Sequence, residues 1–226
     1  MTAPDQPGRE EHSAHQQDPG GNEPDGTSLR DLGPAAAAVS DVVRGVRDDQ
    51  LAAPTPCPRY AVGDVLQHLD GLAEAFAMAA RKETSPDGPG PSGDAALLPA
   101  DWRERIPQRL TALAEAWRDP SAWTGPTAAG GVELDGATAG LVALDELVVH
   151  GWDLARGTGQ DYAPDEASIA GARAFVALFS GPGTEDMRGD AFGPELAAPE
   201  GATPLEELLA MTGRDPRAPL PGAAPR

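Results

Sequence analysis

The chain has 226 residues, 40% of them hydrophobic and only 4% aromatic, enough for one sizeable core but not comfortably two. Its formal net charge of −19 excludes nucleic acid and anionic membrane surfaces as expected partners, because both require a basic stripe that this sequence lacks. A single cysteine, Cys57, rules out an intrachain disulfide framework. No basic-then-apolar leader and no bilayer-length apolar run are found, so a cytoplasmic protein is expected.

Residues 1–27 are dense in Pro, Gly, Gln and acids and carry almost no large apolar side chain, which predicts a disordered tail. His12 and His15 within it are read as solvent-exposed bystanders. The helical domain is expected over 28–216, followed by a flexible end at 217–226. Its first helix, about 28–47, carries Leu29, Leu32, Ala36, Val39, Val43 and Val46 on one face, with Pro34 in the first turn. Pro54, Pro56 and Pro58 then exclude regular helix from the connector LAAPTPCPRY.

The second helix, about 62–83, has Val62, Val65, Leu66, Leu69, Leu72, Ala73 and Phe76 on one side. His68 falls three residues after Val65 and four before Leu72, so it points inward with them. Residues 84–94 read as a loop, and 101–118 as a third helix keyed by Trp102, Ile106, Leu110, Leu113 and Trp117, its first half weakened by Pro107. The Gly-rich stretch TAAGGVELDG reads as a loop, and the fourth helix as about 137–156. An alanine-rich helix, DEASIAGARAFVALFS, and a short closing helix, PLEELLAMTG, end the domain. With strand alternation nearly absent, the prediction is an all-α four-helix bundle with additional short C-terminal helices.

The fourth helix poses the chemical question. Glu146, His150 and Asp153 lie within about 60° of one another at 100° per residue. Leu144, Leu147, Val148 and Leu154 cover the opposite side, so the helix is apolar nearly all round and must be largely buried. A buried carboxylate and imidazole cost several kcal/mol (about 2–7 per unpaired polar group) unless they find partners. One partner is a divalent metal held by Glu146 and His150, four residues apart, with His68 as third ligand and positions left open for chemistry. The alternatives are a hydrogen-bonded core histidine and a Glu146 paired with Arg156 or capping a neighbouring helix. Asp153 is read as support for His150 or Trp152, Trp152 and Trp117 as packing residues, and Cys57 as a buried small hydrophobe, a structural thiol or a nucleophile.

Three separated strings, TPCPRYAVGDVLQHLDG, DELVVHGWDLARGTGQ and LLAMTGRDP, resemble the actinobacterial metal-binding proteins related to the N-terminal domain of mycothiol-dependent maleylpyruvate isomerase, in the DinB-like superfamily. The resemblance covers roughly residues 29–216. It implies a DinB-like bundle of up-down-down-up type and one divalent metal, zinc or nickel, held at His68, Glu146 and His150. It also implies a low-molecular-weight thiol, mycothiol or one like it, as cosubstrate, and an electrophilic small molecule as its acceptor. Two departures are visible. Where relatives commonly carry tryptophan and a capping threonine, this chain has Tyr60 and Ala61, so a weakly capped second helix is expected. The segment after Tyr162 reads as too short and too helical to be the additional C-terminal domain of the characterised isomerase, so isomerisation of maleylpyruvate itself is not expected.

The leading expectation is therefore a metal- and thiol-dependent transferase or isomerase-like enzyme. A non-catalytic metal- or ligand-binding module, dimeric through its exposed faces, is the second expectation. A metal hydrolase using Asp153 or Glu74 as base is the third.

Overall fold

A computed structural model describes residues 31–83, 93–189 and 191–220. The expected tail at 1–27, with His12 and His15, and most of the 84–94 loop lie outside the described residues. Six helices are described: α1 (Gly33–Gly45), α2 (Val62–Ala80), α3 (Trp102–Ala116), α4 (Gly136–Thr158), α5 (Glu166–Val176) and α6 (Pro204–Met211).

The apolar spacing of the sequence is what the core uses. Leu32, Val39, Val43, Val65, Leu66, Leu69, Ile106, Leu110, Leu113, Leu144, Leu147 and Leu154 are all fully buried. Helix α1 is shorter at its start than its spacing predicts, with Leu32 as the residue before its first turn and Pro34 inside that turn. Helix α3 runs through Pro107 without a break, and the proline ring is itself buried. Ala61 offers no side-chain cap to α2, as its chemistry demands, but the carboxylate of Asp64 reaches back and accepts from the Ala61 N–H at 2.9 Å. One half of a capping box thus replaces the missing threonine.

Helices α1 to α4 form a ring in the order α1, α3, α2, α4. Cross-helix contacts fix their directions. Arg103 at the start of α3 donates to the Val46 carbonyl just beyond the end of α1, so these two run antiparallel. Arg105 meets Asp70 and, further along both helices, the Trp117 indole donates to the Phe76 carbonyl, so α2 and α3 run parallel. His68 lies level with Glu146 and His150, while Val62, earlier in α2, lies against Gly157, later in α4: an antiparallel pair. Gly151 packs on Val39 and Gln160 on Gly45, so α1 and α4 are parallel. The bundle is therefore up-down-down-up. The parallel α2–α3 pair is what requires the long connection across 81–101.

The stretch read as a Gly-rich loop is instead a hairpin, β1 (Pro126–Ala129) paired antiparallel with β2 (Val132–Asp135). The reason lies in Gly130 and Gly131, whose φ values of 57° and 80° place both in the left-handed region that a two-residue hairpin turn demands. Each strand has only four residues, too few for alternation to register in the sequence. Asp135 then accepts from the Thr138 N–H and starts α4. Among the described residues the fold is all-α apart from this hairpin and an isolated bridge between Pro54 and Ala61.

Candidate metal centre

α4 is pinned from both ends, by the Asp135 cap and by Gly159 in the left-handed conformation after its last turn. Between them, Gly140 lies against Trp123 and Trp117, and Gly151 against Tyr162 and Val39. These close approaches fix the rotation of the helix, and with it the direction in which Glu146 and His150 project. Opposite them, α2 presents His68 between the buried Val65 and Leu72.

The three predicted donors meet. His68 Nε2 lies 3.2 Å and His150 Nε2 3.3 Å from the same carboxylate oxygen, Glu146 Oε2. One donor atom from each residue falls within 4.8 Å of the others. The histidine rings stand edge to face with centroids 4.9 Å apart, and the Tyr60 ring packs against both at 5.4 and 6.1 Å. Burial opposes the charge on Glu146, but the His68 hydrogen bond and the positive potential of His150, His68 and Arg214 prevail and hold the carboxyl at about 2. The cluster is a preformed anionic acceptor flanked by two imidazoles.

Asp153 lies against His150. Its carboxylate is wholly buried and accepts from His150 Nδ1 at 3.0 Å, which leaves the other ring nitrogen facing Glu146. Sequence reasoning did not supply what neutralises Asp153. Arg214 does so bidentately, through Nε at 2.8 Å and Nη2 at 2.7 Å, while its Nη1 donates to Thr212 Oγ1. Burial works against the Asp153 charge, and Arg214 and His150 overcome it, so the carboxyl titrates below its usual range. Arg214 belongs to the LLAMTGRDP string, the one signal that could have found it.

The other sequence candidates fall away from the donors. Arg156, offered as a partner for Glu146, turns to the Ala218 carbonyl and lies 5.9 Å from the Trp152 ring centroid. Glu74 pairs with Arg109 at 2.8 Å on the α2–α3 side and does not line the pocket, which removes it as a hydrolytic base. Trp117 is packed in the core as expected, its indole bonded to the Phe76 carbonyl. Cys57 is buried in the wall of the site, and burial pushes its thiol pKa up.

The donors sit in a cavity of about 380 Å³. One wall is the 57–60 connector, the floor is α4 with α2, and the facing wall comes from the C-terminal segment through Phe175, Phe192, Thr212 and Arg214. Asp145, a second carboxyl missed in the sequence, also lines it. The C-terminal segment, chiefly its stretches at 189–193 and 212–214, therefore builds nearly half of the pocket lining.

The profile of the mycothiol maleylpyruvate isomerase N-terminal domain matches residues 32–155, from the start of α1 to the last turn of α4, and so includes all three donors. The chain belongs to this family. Two uncharacterized proteins of Mycobacterium tuberculosis, from strains CDC 1551 and H37Rv, are each 31% identical over 189 residues, covering 81% of this chain and 95% of their own length. No solved structure matches. As a family member the chain carries the DinB-like all-α bundle, and among its described residues no helix is long and apolar enough to cross a membrane. The mycothiol maleylpyruvate isomerase N-terminal domain match ends before the C-terminal wall of the pocket, so Phe175, Phe192 and Arg214 lie outside it.

Proposed function

We propose that this chain holds one divalent metal ion, zinc or nickel, at His68, Glu146 and His150, and uses it to activate a low-molecular-weight thiol of the mycothiol type for transfer to an electrophile. The observation that carries this reading is the donor set itself. Two imidazole nitrogens and a carboxylate oxygen suit zinc or nickel. Tetrahedral bonds of about 2.0–2.1 Å place ligand atoms about 3.4 Å apart, and the two histidine nitrogens stand 3.2 and 3.3 Å from Glu146 Oε2. The residues present therefore fit the ion, with coordination positions left for a ligand from the cavity.

When bound, the ion supplies Lewis acidity that lowers the pKa of a coordinating thiol toward neutrality. The remaining work falls to the chain. Asp153 keeps the proton on His150 Nδ1 and so presents Nε2 as the donor. Arg214 keeps Asp153 ionised. Phe175 and Phe192 contribute apolar lining to the cavity. In a conjugate addition the new bond joins sulfur to the acceptor carbon, and the thiol proton ends on the neighbouring carbon of the acceptor.

Elemental analysis of purified full-length protein tests the reading, with one equivalent of zinc or nickel expected. His150→Ala should remove it while leaving the helical content intact. Protein that carries no stoichiometric metal after reconstitution, or a His150→Ala variant that keeps it, refutes the proposal. Thiol-dependent turnover should be abolished by chelation and restored by the same metal.

A further inference from the structure

The wall of the same cavity holds a group that the donor set leaves unused. Asp145 is 5% exposed, and its Oδ1 is buried without any hydrogen-bond partner. Its neighbour in the chain is the negatively charged Glu146, and the nearby guanidinium of Arg214 is committed to Asp153 and Thr212. Burial and the Glu146 charge both push the Asp145 carboxyl well above its usual range.

Such an atom is costly to a fold, and nothing in the bundle compensates it. Among the described residues one other buried side-chain atom, Arg156 Nε, also lacks a partner, but that side chain is held through Nη2 by the Ala218 carbonyl and does not line the cavity. Ser40 and Thr158 bond back to helix carbonyls, Asp70 is held by Arg105 and Arg109, and Asp153 by Arg214. Asp145 differs from these in lining the cavity. A bound molecule is the partner the geometry leaves for it.

The chemistry of that molecule follows from the surroundings. A carboxyl group offers an acceptor oxygen in either protonation state, so the ligand presents an O–H or N–H donor. A cationic donor would face the Arg214 guanidinium in the same pocket, which favours a neutral hydroxyl or amide. Phe175 and Phe192 add apolar surface to the same lining, suited to a carbon skeleton. Resting on the thiol reading above, we infer that Asp145 selects among thiols: it accepts a hydrogen bond from a neutral hydroxyl or amide donor on the molecule that reaches the metal through sulfur.

Zinc-loaded full-length protein can be titrated calorimetrically with two probes, 1-thioglycerol and 1-propanethiol, which differ only in their hydroxyl groups. Wild type should bind thioglycerol about tenfold more tightly, the scale of one hydrogen bond to a buried acceptor. Asp145→Ala should remove that preference at unchanged zinc content and unchanged propanethiol affinity. Asp145→Asn, which keeps an acceptor oxygen, should retain it. The metal-free, thiol-free protein gives a second readout: Asp145→Ala should melt no lower than wild type, because the carboxyl makes no bond to lose.

Equal affinities in wild type, or a preference that survives Asp145→Ala, overturn this inference and leave the thiol reading standing. A clear drop in the melting temperature of Asp145→Ala also overturns it, by assigning the residue a structural role. Failure of both thiols to bind the zinc-loaded protein overturns the thiol reading, and the inference with it.

Discussion

Replacing Arg214 with methionine is the sharpest probe of how the site is held. The side chain is nearly buried, at 9% exposure, and the Asp153 carboxylate it neutralises is at 0%. Arg214→Met removes both bonds of the bidentate pair and leaves Asp153 only the hydrogen bond from His150 Nδ1. Breaking one side of a buried ion pair costs about 3–5 kcal/mol, because the stranded charge keeps its desolvation penalty. For a domain of this size each kcal/mol moves the melting temperature by about 2–4 °C, so a fall of about 6–20 °C is expected. The assay is thermal and urea unfolding of metal-free protein, repeated on Asp153→Asn and on the double variant. Since the penalty belongs to the unpaired carboxylate, the double variant should be more stable than Arg214→Met alone. A loss below about 1 kcal/mol for Arg214→Met, or a double variant as unstable as the sum of the singles, would show that the pair is not what holds this wall.

Asp153→Asn should also weaken metal affinity by about 10–100-fold with His68, Glu146 and His150 intact, measured by competition with a chelating dye. A Cβ at Gly140 would lie 2.4 Å from the Trp123 ring, so Gly140→Ala should cost about 1–3 kcal/mol in urea unfolding, although alanine favours helix. The Cys57 thiol, raised by burial, should react with iodoacetamide at pH 7 at least roughly tenfold more slowly in the native protein than in urea. Glu206, bonded to Arg217 and to the Thr203 N–H, titrates at about 2 instead of its ordinary 4.5. A carboxyl lowered on folding stabilises above its unfolded value, so this contribution should be complete above pH 4.5 and lost as the pH falls toward 2. Glu206→Gln should flatten that part of the acid-denaturation curve.

The helices were legible because their buried faces repeat at three and four residues, from Leu32 to Val46 across α1 and its two flanking residues and from Val62 to Phe76 in α2. So was the convergence of His68, Glu146 and His150, since an inward histidine on one helix and an i, i+4 pair on another need only two packed faces to meet. The hairpin was hidden by strands shorter than the window in which alternation can be counted, although its Gly130–Gly131 pair was a usable turn signal. Arg214 was hidden for a different reason: its partner lies 61 residues away, and no periodicity links them. Asp145 has no ionisable residue three or four positions away, so no helical spacing singled it out. A helix read as apolar nearly all round had to bury that carboxyl too.

The division of the pocket has an evolutionary consequence. All three donors lie inside the segment that defines the family, 32–155, whereas Phe175, Phe192 and Arg214 come from beyond it. The end of the cavity that holds His68, Glu146 and His150 and the end that frames its contents are thus carried on different stretches of chain. Grafting the 163–216 region of a relative onto this bundle would change which molecules are admitted while leaving the helices that carry His68, Glu146 and His150 untouched. A lineage could diversify its chemistry by exchanging the cover and keeping the engine.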